Sequence, residues 1–189
     1  MIDIKHRSTG SIIKSIYADT LVGEDLTLAK LPCAELGHMD MKWIDLALAD
    51  LMGANFRCSN MEGAKLEFAD MESSDLSFAN LRNANLGGAI LRNANMRGVD
   101  LRGTCMTGAD LKYANIRYVL GDGKIIKTII DQYMIVIMPE YGVMAIGCEQ
   151  YSINTWMTFP DERIHKMDAN ALRWWKEWKP RIQSWVNDR

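Results

Sequence analysis

A large apolar residue returns at every fifth position from Leu46 to Ile116, through Leu51, Phe56, Met61, Leu66 and onward in one phase. Two residues ahead of most of them stands Ala or Ser, as at Ala49, Ala54, Ser59 and Ala64, and Asp or Asn usually fills the place between. The phase extends back through Met41, Leu36, Leu31, Leu26 and Leu21 to Ile16, with weaker polar decoration. A period of five suits neither the 3.6 residues of a helix nor the alternation of a strand. On a helix each such step drifts by about 140°, so no apolar face forms. Glycines at 53, 63, 87, 88, 98, 103 and 108 would weaken helices further.

A backbone that turns a corner every five residues accounts for this period. Four corners close a square coil, with the large and small residues both turned inward. Stacked coils would pair backbone groups at a rise of about 4.8 Å, so residues 16–120 make about five coils and a rod of roughly 24 Å. The repeated A(D/N)Lxx phase, most specific from Ala49 to Ile116, resembles the pentapeptide-repeat family. That resemblance implies a right-handed quadrilateral β-helix acting as a non-enzymatic scaffold. Some members of the family bind DNA gyrase by imitating duplex DNA.

The two ends break the pattern. Residues 1–15 read as a cap, with a strand in MIDIKHR, a Ser-Thr-Gly turn and then SIIKSIY. Residues 121–189 read as a small α+β domain, so the expected fold is mainly β with that appendage. Turn signals at Gly121-Asp122-Gly123 and Pro139-Glu140-Tyr141-Gly142 separate strands over Lys124–Ile130, Gln132–Met138 and Val143–Gly147. A helix starts at Pro160-Asp161-Glu162. Another runs from about Ala169 behind Asp168 as N-cap, and Pro180 should kink or restart it. The stretch from IGCEQYSINTWMTF through MDANALRWWKEWKP resembles a C-terminal extension of pentapeptide-repeat proteins from tailed phages and prophages. This likeness implies a phage-encoded protein acting in the host cytoplasm.

Composition excludes several classes. Hydrophobic residues make up 48% of the 189 and charged residues 24%, the profile of an ordinary globular chain. There is no apolar run long enough for a membrane span and no apolar signal core, so a cytoplasmic protein is expected. Cys33, Cys58, Cys105 and Cys148 are too far apart for a zinc pattern and too sparse for a disulfide scaffold. His6, His38 and His165 do not cluster with them, so no metal is expected. Phosphate-loop, dinucleotide and hydrolase motifs are absent, so no cofactor is expected. Glu149, Tyr151, Ser152, His165 and Cys148 share one stretch, but no nucleophile–base pair can be placed among them, and the chain reads as a non-enzyme.

The net charge of -2 hides a segregation. Residues 16–75 hold twelve acidic and four basic side chains; residues 76–120 hold two acidic and six basic. The six are Arg82, Arg92, Arg97, Arg102, Lys112 and Arg117, each just after the large inward residue and therefore pointing outward. They are candidate anion ligands, with Tyr113 and Tyr118 beside them as stacking surfaces. Direct nucleic-acid binding is not expected of so balanced a chain. Phe68, Phe78, Tyr113 and Tyr118 sit two places after the large residue, and such exposed rings suggest a covered face or a homodimer. Trp156, Trp174, Trp175, Trp178 and Trp185 crowd the last 34 residues, as core or, at Trp174 and Trp175, as an interface anchor. The leading functional expectation is a protein that docks on and antagonises a host defence or DNA-processing protein. The alternatives are a sponge for a nucleotide or other phosphate ligand, and a structural or oligomerisation scaffold.

Overall fold

The computed structural model describes residues 1–121, 127–129, 135–138, 142–146, 149–168 and 170–187. Strands β1 (Ile2–His6) and β2 (Ile12–Ile16) form an antiparallel hairpin, and β1 also pairs with β3 (Ala34–Glu35). The hairpin thus caps the first layer of the rod, with Ile4 fully buried and Arg7 Nη1 donating to Gly53 O at 2.9 Å. Ile16, expected as the first repeat residue, is the last residue of this cap.

Beyond it, parallel bridges join residues twenty apart, from Asp25↔Asp45 to Asp100↔Leu120. Each rung is tied on both sides: Asn85 N–H donates to Ala64 O at 2.9 Å and Leu86 N–H to Cys105 O at 2.7 Å. Within each pentad a turn closes, as where Ala89 N–H donates to Leu86 O at 3.0 Å. The residue two places after the large one carries the turn. Every fifth residue from Gly23 to Tyr118 has φ between 55 and 75°. That is the second central position of a type II turn. Seven of these twenty positions are glycine; Leu28, Trp43, Phe68 and Tyr113 are among the others. A left-handed residue with a side chain costs about 1–2 kcal/mol, and the two-sided ladder holds it there.

The Asp or Asn of each pentad also has a structural role. Asn80 Oδ1 accepts from Arg82 N–H at 3.1 Å, while its Nδ2 donates to Asn60 Oδ1 at 3.0 Å. Asn60 Nδ2 in turn reaches Asp40 at 3.0 Å. The side chain therefore holds the corner and links neighbouring rungs. Inside, the large residues from Leu31 to Ile116 and the small ones beside them form one continuous core.

An antiparallel sheet, β4 (Lys127–Ile129), β5 (Ile135–Met138), β6 (Val143–Ile146) and β7 (Glu149–Ser152), closes the far end. The first three were expected; β7 was not, because EQYS has no run of apolar residues. Alternation divides the sheet between two cores. Val136, Met138 and Ala145 pack with the rod, whereas Ile135, Ile137, Met144 and Ile146 pack with three helices. These are α1 (Ile153–Thr158), α2 (Asp161–His165) and α3 (Ala171–Asn187). Ser152 caps α1 through Thr155 N–H, and the Asp168 carboxylate accepts from Asn170 N–H at 2.8 Å, ahead of α3. Pro180 lies inside α3, which continues past it rather than restarting. The turn expected at Pro139-Glu140-Tyr141 lies outside the described residues, as do Asp122, Gly123 and Ala169.

Gln150 of β7 joins sheet to rod. Its Oε1 accepts from Ile116 N–H at 2.8 Å, and its Nε2 donates to Ala114 O. Elsewhere a peptide group of the next rung meets this pair, as Asn95 N–H meets Ser74 O. A side-chain amide thus replaces the missing rung. Gln150→Leu should lower stability by about 1–3 kcal/mol, the cost of two unpaired polar groups, as read by urea unfolding followed by circular dichroism.

Candidate functional site

The structure sorts the six outward cations of the last rungs. Arg92 Nε lies 2.5 Å from Asp110 Oδ2, and Arg102 holds Asp100 through Nε at 2.8 Å and Nη2 at 2.5 Å. Both carboxyls are held below the usual range, mainly by these side-chain hydrogen bonds. Lys112 Nζ rests 5.1 Å from the ring of its neighbour Tyr113. Arg82 is exposed on the column that also holds Arg102.

Arg97 is brought against Tyr118, and Arg117 follows one rung on in the same column as Arg97. Arg97 Cζ stands 5.2 Å from the Tyr118 ring centroid and 5.8 Å from that of Phe78. Arg57 approaches the other end of this group, 5.6 Å from Phe78. The sequence reading passed over Arg57 because it lies in the acidic segment. The available signal was register: 57, 77, 97 and 117 share one column.

Rings at the left-handed position lie along the rod over glycines of the next rung. A Cβ added to Gly63 would stand 2.5 Å from Trp43 Cδ1, one at Gly88 2.5 Å from Phe68 Cδ1, and one at Gly98 2.7 Å from Phe78 Cδ1. This pairing explains why aromatic and glycine residues follow each other at a spacing of twenty. Gly98→Ala should cost about 1–3 kcal/mol, since it puts a side chain on a left-handed φ and brings its Cβ against the Phe78 ring; a thermal melt measures it.

A second surface lies on the acidic rungs. Leu28, Leu48 and Phe68 share one column and are 67%, 53% and 65% exposed, with Trp43 and Met52 exposed on neighbouring columns. The sequence analysis named only Phe68 of these. Leu28 and Leu48 hold the same outward position as Phe68, and that position was the missed signal.

In the C-terminal domain Trp174 and Trp175 are buried, at 7% and 2% exposure. Trp175 packs 5.8 Å from Trp156, whose Nε1 donates to Met144 O, and Trp174 stacks on Trp178 at 5.9 Å. Both serve the helix–sheet core. Lys112 and Tyr113 line a cleft of about 670 Å³ between the last rung and the sheet, facing Gln150, Tyr151 and Ser152. The amide of Gln150 is engaged with the rod, and Tyr151 Oη donates to Glu149 and accepts from Arg163. His165 is exposed and Cys148 lies outside the described residues. Among the described residues no cluster of His, Cys, Asp and Glu could hold a metal ion, and no helix is long and apolar enough to cross a membrane.

Residues 42–72 and 74–112 match the model of the pentapeptide repeats family, in 8 copies. No curated protein matches the chain. Among solved structures it is similar to HetL, a pentapeptide repeat protein involved in heterocyst differentiation regulation from the cyanobacterium Nostoc sp. strain PCC 7120. That match has 29% identity over 53% of this chain and 50% of the other, with a TM-score of 0.39. A pentapeptide repeat protein of the Arabidopsis thaliana thylakoid lumen is 25% identical over 58% of this chain and 70% of the other, with a TM-score of 0.39. Another from Nostoc PCC 7120 is 37% identical over 48% and 62%, with a TM-score of 0.22. The chain thus spans half the length of the first of these.

The depressed Asp100 carboxyl fixes a pH response. Its contribution is present above the unfolded-state value of about 3.9 and is lost as pH falls through the lower folded value. Asp100→Asn should therefore show a shallower fall in Tm than the parent as pH is taken below about 4, as followed by circular dichroism.

Proposed function

We propose that this chain, which carries the repeats of the pentapeptide-repeat family over residues 42–112, is a non-enzymatic binding protein. In this reading it winds as a right-handed quadrilateral rod of about five coils. It is phage-encoded and acts in the host cytoplasm, where it docks on a host protein and blocks it. One observation carries the proposal: the exposed column Leu28–Leu48–Phe68 stands in the segment with twelve acidic and four basic residues. Apolar side chains in a predominantly acidic surround have the anatomy of a docking surface, with the apolar contact giving affinity and the charge giving steering. The chemistry it fits is a basic protein surface, such as the nucleic-acid-binding face of a DNA-processing or defence enzyme.

Affinity capture from host lysate tests this. The parent chain should retain a basic partner in stoichiometric amount, and Lys14→Gln should retain it equally. Leu48→Asp should weaken retention by about ten-fold or more, as loss of an interface anchor does. A parent chain that retains no stoichiometric partner overturns the reading, and so does a Leu48→Asp variant that retains it unchanged.

A further inference from the structure

We propose that Arg57, Arg97 and Arg117 form a binding site for a small oligophosphate, a molecule carrying two or three linked phosphoryl groups. The site is distinct from the apolar docking column. Bridges Asn55↔Asp75, Asp75↔Asn95 and Asn95↔Asn115 place Arg57, Ser77, Arg97 and Arg117 in one column, one residue per rung. At about 4.8 Å per rung, Arg97 and Arg117 start about 4.8 Å apart and Arg57 and Arg97 about 9.6 Å apart.

Like charges stacked at this spacing repel. Elsewhere on the rod the chain supplies carboxylates, as at Arg92–Asp110 and Arg102–Asp100. On this column it does not. Among the described residues none of the three arginines has an ion pair. The four corner residues of the column are Asn55, Asp75, Asn95 and Asn115. Its one carboxylate, Asp75, accepts from Ser77 N–H at 2.9 Å and from Asn95 Nδ2 at 3.0 Å.

Rings hold the guanidinium groups of Arg57 and Arg97 instead. Phe78 has Arg57 and Arg97 within 6 Å of its centroid, and Tyr118 takes Arg97 at 5.2 Å. A guanidinium resting against a ring keeps its N–H edge for an oxyanion, in a fork that matches phosphoryl oxygens. Linked phosphoryl groups answer the repulsion. They carry several charges over a span of rungs and present acceptors in every direction, whereas a single carboxylate presents two oxygens in one plane.

Calorimetric titration of the full chain with inorganic triphosphate, in low salt without divalent metal, tests the site. One saturable site is expected. Arg97→Gln should weaken it by about ten-fold or more, and Arg57→Gln and Arg117→Gln each by about three-fold or more. Lys30→Gln should leave it unchanged. Circular dichroism checks that each variant is folded; if Arg97→Gln is not, Arg57→Gln carries the test. Tighter binding of ATP than of triphosphate assigns the source as a nucleotide, and equal binding assigns it as a free oligophosphate. Absence of heat at millimolar triphosphate overturns the proposal. Equal affinity in all the arginine variants does so too, as does a hexaglutamate peptide binding as tightly as triphosphate.

Discussion

Asn85 donates to Ala64 O on one side of its rung, and Leu86 donates to Cys105 O on the other. The same pair of backbone bonds recurs along the rod and holds residues twenty apart in register. Corners, core and surface columns all depend on it. The ladder lets bulky residues such as Trp43 and Phe68 occupy a left-handed backbone. It also lays the apolar residues of successive pentads on one another, so the core is continuous without any amphipathic element.

A ladder of this kind ends in unpaired groups and open core, the same problem that any sheet edge presents. The chain solves it differently at its two ends. At the start, β1 pairs with β3 and sets Ile4 against the first layer. At the finish, a separate sheet gives alternate side chains to the rod and to the helices, and the Gln150 amide takes the place of a peptide group. The C-terminal domain is thereby part of the rod's own hydrogen bonding, with its tryptophans consumed in holding the sheet.

Electrostatics on the rod are a matter of columns. Lys65 reaches back to Asp45, Arg92 to Asp110 and Arg102 to Asp100, so local pairs absorb much of the charge. Such exposed pairs contribute little to stability, but they decide which cations are already spent. The column of Arg57, Arg97 and Arg117 has rings where others have carboxylates, and the column of Leu28, Leu48 and Phe68 has neither charge nor cover.

The sequence by itself determined the rod. A period of five, with a large residue, a small one and Asp or Asn between them, leaves one way to bury the large residues, and residues twenty apart had to stack. It also placed Arg82, Arg97 and Tyr118 outward, because their offset from the inward residue is fixed. Tertiary structure alone decided which outward residues meet. Arg102 turns to Asp100 on its own pentad while Arg97 turns to Tyr118 on the next rung, and this choice depends on rotamers and neighbours that periodicity does not encode. Gln150 was equally hidden: a single amide, 34 residues from Ile116, meets the rod only after the sheet has folded. Repetition makes local geometry legible because every pentad repeats the same constraint, whereas the ends and the side-chain partners occur once and are set by packing.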